Sequence, residues 1–488
     1  MEHSITLFPS GQTLTAQHGE NLLDVLRQAG TAPDAPCGGN GKCGKCAVTV
    51  NGRRVLACGC LVEQDMTVTL PEQDSVHILT AGQSAEVQLD PVKPGYLASF
   101  DIGTTTVVCF LMDPEGTEIA VESMPNPQRP FGADVISRIQ RSQKGDREAL
   151  TNAIRQGMTA LLKRCCKRAG IEPGELGVVS VVGNPCMQQL FLGMDVDNLA
   201  SIPFAPVLTS AQITPAREVL PVCKNAVLLT VPDISGYVGA DTVGCILASR
   251  LYAAEDTVLM VDIGTNGEMV LSRGGRMVAC STAAGPALEG ANIQHGMNGS
   301  EGAIDHVTAE GCTVIGGGKA KGICGSGLID AVAVMLEKGL LNKRGRVLTE
   351  DHSFPLRDGV VLTQEDIRQV QMAKGAIAAG IRLMAEHLGI RTADIDRVIL
   401  AGAFGSYMEP ASACRIGLLP EELAGRITAA GNIAGSGSRM LAKDRKQLEL
   451  AQTLVKKIEF LELANLPTFQ RTFAKSMEFR ERNYGKMD

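Results

Sequence analysis

Four cysteines, Cys37, Cys43, Cys46 and Cys58, stand at the spacing C-x5-C-x2-C-x11-C. The first three lie in the glycine-packed run Cys37-Gly38-Gly39-Asn40-Gly41-Lys42-Cys43-Gly44-Lys45-Cys46. Four thiolates can hold a 2Fe–2S cluster, and loop glycines let backbone N–H groups reach the sulfurs and set the potential. A structural zinc site is the competing use of such a set. The glycine-packed loop and the distant fourth cysteine favour the cluster. Cys58 is read as the fourth ligand, with Cys60 as the alternative.

A second chemistry is written twice. Ser99-Phe100-Asp101-Ile102-Gly103-Thr104-Thr105-Thr106-Val107-Val108 runs from an apolar strand through an acid and a Gly–Thr turn into another apolar strand. Leu259-Met260-Val261-Asp262-Ile263-Gly264-Thr265-Asn266-Gly267-Glu268-Met269-Val270 repeats it 161 positions later. Each predicts a hairpin whose glycine lets backbone N–H groups come close to an anion. The period is too long for a solenoid and suits a duplicated lobe. A phosphate chain clamped between two such hairpins is the expected ligand.

Other candidate residues surround these. Gly236 and Gly239 precede a helical pattern from Ala240, placing Asp241 in its first turn, where the helix dipole stabilises an acid whatever its role. Gly325 and Gly327, in Gly322-Ile323-Cys324-Gly325-Ser326-Gly327, enter another helix and form an anion-site candidate, weak alone because such turns are common. Leu400-Ala401-Gly402-Ala403-Phe404-Gly405 reads as a buried strand, a glycine turn and an aromatic.

The elements that must position these residues follow in order. Ser4–Phe8 alternates like a strand, Gly11–Ala16 can pair with it, and Glu20–Ala29 carries helix-spaced Leu22, Leu23, Val25 and Leu26. Met66–Pro71 is the closing strand, and residues 71–95 are polar and turn-rich. Helices are predicted over Val135–Arg141, Arg147–Ala169, Met187–Leu192, Ala240–Leu251, Gln364–His387 and Arg439–Ala464, with a short one in the charged tail. Cys165, Cys166 and Cys186 are read as small buried apolar groups. The boundaries are 1–80, 81–95 as linker, 96–258 as a first lobe, and 259–488 as a second lobe with C-terminal helices.

Composition narrows the class. With 44% hydrophobic and 20% charged residues, 488 residues suffice for several cored domains. The 54 glycines against 3% aromatics argue for tight turns rather than stacking surfaces. A net charge of −7 disfavours nucleic-acid binding. The start has neither a basic nor an apolar signal region, and no run approaches a membrane span. Fifteen cysteines without a secretory signal then point to a reducing, cytoplasmic compartment.

The two Asp-Ile-Gly-Thr hairpins, the Gly/Asp helix start and the late Leu-Ala-Gly-Ala-Phe-Gly turn resemble the ATPase superfamily of actin, heat-shock chaperones and sugar kinases. Upstream, the five-residue first gap and the Leu-Ala-Cys context of Cys58 resemble ferredoxins. Together the chain resembles the reductive activators of corrinoid proteins, as do Gly285-Pro286-Ala287-Leu288-Glu289-Gly290 and Gly325-Ser326-Gly327-Leu328-Ile329-Asp330. The resemblance implies an α+β N-terminal 2Fe–2S ferredoxin (β-grasp) domain and an α/β, duplicated, ribonuclease-H-like two-lobed ATPase domain. It implies ATP, Mg²⁺ and the cluster as cofactors, and re-reduction of Co(II) to Co(I) in a corrinoid protein of a methyltransferase system. A low-potential electron donor is the other partner, and a homodimer is compatible with it. Asp101 and Asp262 would orient Mg²⁺. The turns Gly103, Thr104, Thr105 and Gly264, Thr265, Asn266 would cradle phosphates, and Gly325, Gly327, Gly402 and Gly405 would border the nucleotide. Asp241 would position the attacking water, with Asp233 in reserve.

Longer members carry a linker and a middle domain, and the gap of about 25 residues between the two parts is too short for one. A small-molecule kinase with a redox-sensing domain, its substrate near Glu289 and His295, is the main alternative. A chaperone-like binding module is the third.

Overall fold

The computed structural model describes residues 1–41, 43–71 and 78–480. Lys42 of the cysteine loop, residues 72–77 in the seam after the closing strand, and the tail 481–488 lie outside the described residues, as does the side chain of Ala403. Two compact units divide the chain. The first comprises Met1–Gln73, Gln88–Asp241 and Leu441–Leu448; the second comprises Asp74–Val87, Thr242–Met440 and Glu449–Asp488. Among the described residues no helix is long and apolar enough to cross a membrane.

The first unit begins with a β-grasp fold. Strands β1 (Glu2–Phe8) and β2 (Thr13–Gln17), helix α1 (Leu22–Gln28), and strands β3 (Ala47–Val50), β4 (Arg53–Leu56) and β5 (Met66–Thr69) follow in sequence. The sheet order is β2-β1-β5-β3-β4, with β1 antiparallel to β2 and parallel to β5. Period-two alternation turns Ile5, Leu7, Val48 and Val68 inward, onto Leu22, Leu23 and Leu26 of α1. Helix α1 starts where the Asn21 side chain accepts the Leu23 N–H.

The rest of that unit is an α/β layer: β6 (Tyr96–Ile102), β7 (Thr106–Met112), β8 (Glu118–Pro125), α2 (Val135–Arg141), α3 (Arg147–Ala169), β9 (Leu176–Gly183), α4 (Pro185–Leu192), β10 (Gln212–Pro215) and β11 (Val227–Thr230). Helix α5 (Ala240–Ser249) starts at its end. The order is β10-β11-β9-β6-β7-β8, and every residue of β9 is buried, as its continuous apolar run requires. Local chemistry sets the helix ends. An Asp134/Ser137 capping box opens α2, Asn184 with Pro185 opens α4, and left-handed Gly170 and Gly193 close α3 and α4. Three of the scarce aromatics, Phe100, Phe110 and Phe191, are wholly buried here, where truncation to alanine costs about 3–5 kcal/mol.

The second unit contains β12 (Val258–Ile263), β13 (Gly267–Arg273), β14 (Arg276–Thr282), β15 (Ala303–Val307), β16 (Cys312–Val314), β17 (Gly322–Ile323), α6 (Gly325–Glu337), β18 (Ser353–Pro355), β19 (Val361–Thr363) and α7 (Gln364–His387). These precede β20 (Arg397–Ala401), α8 (Gly402–Tyr407), α9 (Pro410–Ile416), β21 (Ile427–Gly431), α10 (Ile433–Lys443), α11 (Arg445–Val455), β22 (Glu459–Phe460) and α12 (Phe469–Met477). The main sheet runs β21-β20-β12-β13-β14-β22. Its strands β14-β13-β12-β20-β21 repeat β8-β7-β6-β9-β11 in order and sense: an antiparallel meander followed by two parallel strands. The duplication suggested by two short motifs is therefore one of whole sheets.

Two features differ from the sequence reading. The single helix predicted over Arg439–Ala464 is two, because buried Asp444 accepts from Lys446 N–H (3.0 Å) and Gln447 Nε2 (2.9 Å) and caps a new helix. The described part of the expected linker is tied down. Gly82 pairs with Gly431 within the second unit, and Asp90 pairs with Asp444 within the first.

The C-terminal segment is held to α7 by a buried lysine. Lys374 Nζ donates to the carbonyl oxygens of Ser476 (2.7 Å) and Glu478 (2.6 Å), and lies 5.1 Å from the Phe479 ring centre. Burial lowers its pKa to about 7, Arg382 and Arg480 push the same way, and Glu478 opposes them. Below about pH 7 the lysine is charged in both folded and unfolded chains, and the folded state carries the full cost. As pH rises from about 7 toward 10.5, the unfolded chain holds a proton that the folded one lacks, so stability grows. Hydrogen-exchange protection of 469–480, corrected for intrinsic rates, should therefore rise from pH 7 to about 9 by up to a few kcal/mol. Lys374→Met should lose that slope; an equal slope in both proteins refutes the assignment.

Candidate functional site

The cysteine loop brings its thiols together in twos. Cys43 Sγ lies 3.3 Å from Cys37 Sγ, and Cys58 is hydrogen-bonded to Cys46. Ala57 N–H donates to the Cys46 carbonyl (2.9 Å), stitching the loop to the fourth cysteine, and Asn21 Nδ2 donates to the Cys58 carbonyl (3.0 Å). Burial pushes the Cys58 thiol up to about 11, and Cys46 adds to that, while the Gly41 backbone N–H favours the thiolate. At Cys43 burial also raises the pKa, against N–H groups of Lys45 and Cys37 that favour the thiolate. Gly38, Gly39, Gly41 and Gly44 all have positive φ, from 66° to 92°, a backbone that a side chain at those positions would resist. Two thiol pairs with backbone N–H donors fit a two-iron cluster, each iron taking two thiolates. Cys60 behaves differently. Its Sγ reaches only the Leu61 carbonyl (3.8 Å), and its thiol is raised by burial and Glu63 rather than by a cysteine.

In the same unit, the β6–β7 turn is gripped through its oxygens. Asn126 donates from Nδ2 to the Gly103 carbonyl (2.8 Å) and from its backbone to the Thr105 carbonyl (2.8 Å). Arg138 donates to the Thr104 carbonyl (2.6 Å), and Asn184 Nδ2 to Thr104 Oγ1 (3.0 Å). Asn126 and Arg138 are buried, so the carbonyls point into the protein, and the turn has N–H groups rather than oxygens to offer an anion. Asp101, next to last in β6, is in register with Val182, and Ile102 with Gly183. A Cβ on Gly239 would lie 2.7 Å from the Gly183 carbonyl, so the start of α5, with Asp241, is brought to the end of β9. Nearby Asp233 is buried, accepts from Gln188 Nε2 (2.9 Å), and has its carboxyl pushed well up by burial and then by the Asp241 charge.

The second unit repeats the turn with different partners. Gly264 N–H donates to the Asn266 carbonyl (2.9 Å), and Thr265 Oγ1 to Glu289 Oε2 (2.6 Å). Asp262 is in register with Ala401, which sets its carboxylate beside Gly402. A Cβ there would stand 2.5 Å from Asp262 Oδ1, and Gly402 has φ +77°. A Cβ on Gly325 would meet the Leu288 carbonyl at 1.9 Å and the Phe404 ring at 2.6 Å; one on Gly327 would meet the Ile304 carbonyl at 2.4 Å. A Cβ on Gly405 would lie 2.9 Å from Leu400 Cβ. Close packing requires glycine at Gly325 and Gly327 whether or not a nucleotide borders them. His295 has Gln294 for a neighbour, and Glu289 is engaged with Thr265 of the Gly264–Asn266 turn.

Asn126, Arg138 and Asn184 went unread in the sequence. Asn184 had a signal, standing before Pro185 where a cap belongs; a buried arginine and asparagine under a turn have none.

A β-grasp four-cysteine domain joined to a duplicated hairpin ATPase fold defines an iron–sulfur protein of the actin and sugar-kinase class. The chain belongs to the RACo family. Residues 5–70 match the 2Fe-2S iron-sulfur cluster binding domain, 96–254 the RACo middle region, and 256–488 the C-terminal domain of RACo, the ASKHA domain. The family model described as the RACo middle region thus falls on the part bearing the Asp101 hairpin, and residues 71–95 separate it from the cluster domain. The corrinoid activation enzyme RamQ of Eubacterium limosum is 29% identical over 586 positions, covering 97% of this chain and 98% of that protein. The [Co(II) methylated amine-specific corrinoid protein] reductase of Methanosarcina barkeri is 28% identical over 350 residues, 64% of each. A solved reductive activator for a corrinoid, iron-sulfur protein superposes with a TM-score of 0.72 at 26% identity, covering 98% of each chain.

Proposed function

We propose that this protein is an ATP-dependent reductive activator that returns a Co(II) corrinoid protein of a methyltransferase system to Co(I). The end-to-end likeness to a corrinoid activation enzyme, across both the cysteine domain and the ATPase domain, carries the reading. When bound, the 2Fe–2S cluster supplies the one electron that Co(II) takes up, and a low-potential donor replaces it. Cys37, Cys43, Cys46 and Cys58 hold it. The turns at Gly103–Thr105 and Gly264–Asn266 bind phosphate oxygens through N–H groups, and Asp101 and Asp262 orient Mg²⁺, largely through water. Asp241 positions the attacking water. Asp233, the reserve candidate, is less suited to that role, because burial and then the neighbouring Asp241 charge push its carboxyl well above the usual carboxylate range and so disfavour the anion. ATP carries no electron; its binding and hydrolysis favour first the complex with the Co(II) protein, then its release. Fifteen cysteines in the chain suit a reducing, cytoplasmic setting.

Corrinoid absorbance, followed anaerobically with a low-potential donor, tests the proposal. Co(I) should accumulate with Mg-ATP and at most slowly without it. No Co(I) in the presence of both refutes it, and ATP use that needs a small-molecule acceptor would favour the kinase.

A further inference from the structure

A buried polar scaffold joins the first phosphate-type turn to the cysteine loop. Arg138, wholly buried on α2, donates to the Thr104 carbonyl from Nη2 (2.6 Å) and to the Gly132 carbonyl from Nε (3.0 Å). Its Nη1 meets Gln128 Oε1 (3.3 Å) and Met187 Sδ (2.9 Å). Only a guanidinium presents donors to several acceptors in so fixed a fork. Removing that charge from water is costly, and an aliphatic side chain would fill the space more cheaply, so packing alone does not explain it.

Past Gly132 the same segment grips the first cysteine on both sides. Ala133 N–H donates to the Pro36 carbonyl (3.2 Å), one residue before Cys37. One residue after it, a Cβ on Gly38 would lie 3.4 Å from the Phe131 carbonyl and 3.8 Å from Arg141 Cγ. Arg27 donates from Nε to the Pro130 carbonyl (2.8 Å) and sits 5.4 Å from the Phe131 ring centre. Ion pairs Arg129–Asp34 and Arg141–Asp24 close the contact. All of it lies within the first compact unit. From Thr104 to Cys37 the path is three hydrogen bonds, linked by the Arg138 guanidinium and the Gly132–Ala133 peptide, and it ends on the Pro36–Cys37 peptide.

We propose that Arg138 is a positioning residue that transmits nucleotide occupancy of the Gly103–Thr105 turn to the surroundings of Cys37, and so shifts the redox equilibrium of the cluster. The inference rests on the assignments of that turn to nucleotide and of Cys37 to the cluster. Hydrogen bonds and solvent exposure around the sulfurs set a cluster's potential, so a small movement of Pro36 and Gly38 is felt there. Linkage makes the effect reciprocal: the oxidised and reduced proteins must differ in nucleotide affinity by the same factor.

The test uses the full cluster-loaded protein and a Mg²⁺ complex of a non-hydrolysable ATP analogue. The analogue should change the reduced-to-oxidised ratio at fixed potential about fivefold, roughly 41 mV for a one-electron couple. Calorimetry should show the same fivefold between the two redox states. Arg138→Lys, which keeps the charge without the fork, and Arg138→Gln should lose both effects while retaining the visible spectrum. Arg129→Gln, which loosens only the cysteine side, should weaken the coupling and leave analogue affinity for the oxidised protein unchanged. If the wild-type protein binds the analogue and holds its cluster but shows one potential and one affinity, the inference is wrong while the functional reading stands. A shift that survives Arg138→Gln refutes it equally. If the analogue does not bind, or the cluster persists in Cys37→Ala, the underlying assignment fails and the inference falls with it.

Discussion

Cys58→Ala should abolish the 2Fe–2S absorption and leave the isolated protein without stoichiometric iron and labile sulfide, whereas Cys60→Ala should keep both. The two cysteines are two residues apart, and sequence spacing alone allows either. The backbone separates them. The Ala57 N–H bond to the Cys46 carbonyl sets Cys58 next to Cys46, and Asn21 fixes its carbonyl from the start of α1. The Cys60 carbonyl accepts from Leu22 N–H (2.9 Å), while its thiol reaches the Leu61 carbonyl and feels Glu63. With only three thiolates, one iron lacks a ligand and the cluster is lost or exchanges readily. The Cys58→Ala protein should still bind nucleotide, because neither proposed phosphate turn uses that loop. Loss of iron in Cys60→Ala with retention in Cys58→Ala would reverse the assignment. Zinc without sulfide in the wild-type protein would replace the cluster by a structural metal.

The parts of this fold that were legible in the sequence are those encoded by local chemistry. Glycine and cysteine at fixed offsets announce the cysteine loop, and an acid before a Gly–Thr turn announces each hairpin, because few other residues permit those backbones. Periodicity placed α2 and α7 within a residue of where they lie. The break at Asp444 was hidden because the flanking residues keep helical spacing, and the interruption depends on a side chain turning back to cap the second helix. Arg138 was hidden for a different reason. A sequence shows an arginine on an amphipathic helix and offers solvent as its natural place; only the folded chain shows four acceptors converging on it in the interior. The glycines of the Gly-Ser-Gly run were legible as an anion site or as a common turn before a helix. The close approach of Leu288, Ile304 and Phe404 to them was not, because it depends on segments distant in sequence.

Asp262→Asn should lower Mg-ATP-dependent Co(I) formation by about 10²-fold or more while leaving the cluster spectrum unchanged. The argument is electrostatic. Asp262, next to last in β12, stands against Gly402, and Glu289 is bonded through Thr265 to the following turn, so two carboxylates stand near the N–H groups proposed to meet phosphate. A polyphosphate brought there meets like charges, each pair worth roughly 4 kcal/mol at 4 Å in a partly solvated site. In the proposed site a divalent cation would turn that repulsion into attraction. The amide keeps the size and much of the hydrogen bonding of the acid but not its charge, which separates an electrostatic role from packing. It also fixes a sign that a structural role would not produce. Without Mg²⁺, Asp262→Asn should bind the ATP analogue more tightly than the wild-type protein; with Mg²⁺ it should bind more weakly. Weaker binding under both conditions, or a wild-type rate of Co(I) formation, would show that Asp262 shapes the turn and leaves the metal to other residues.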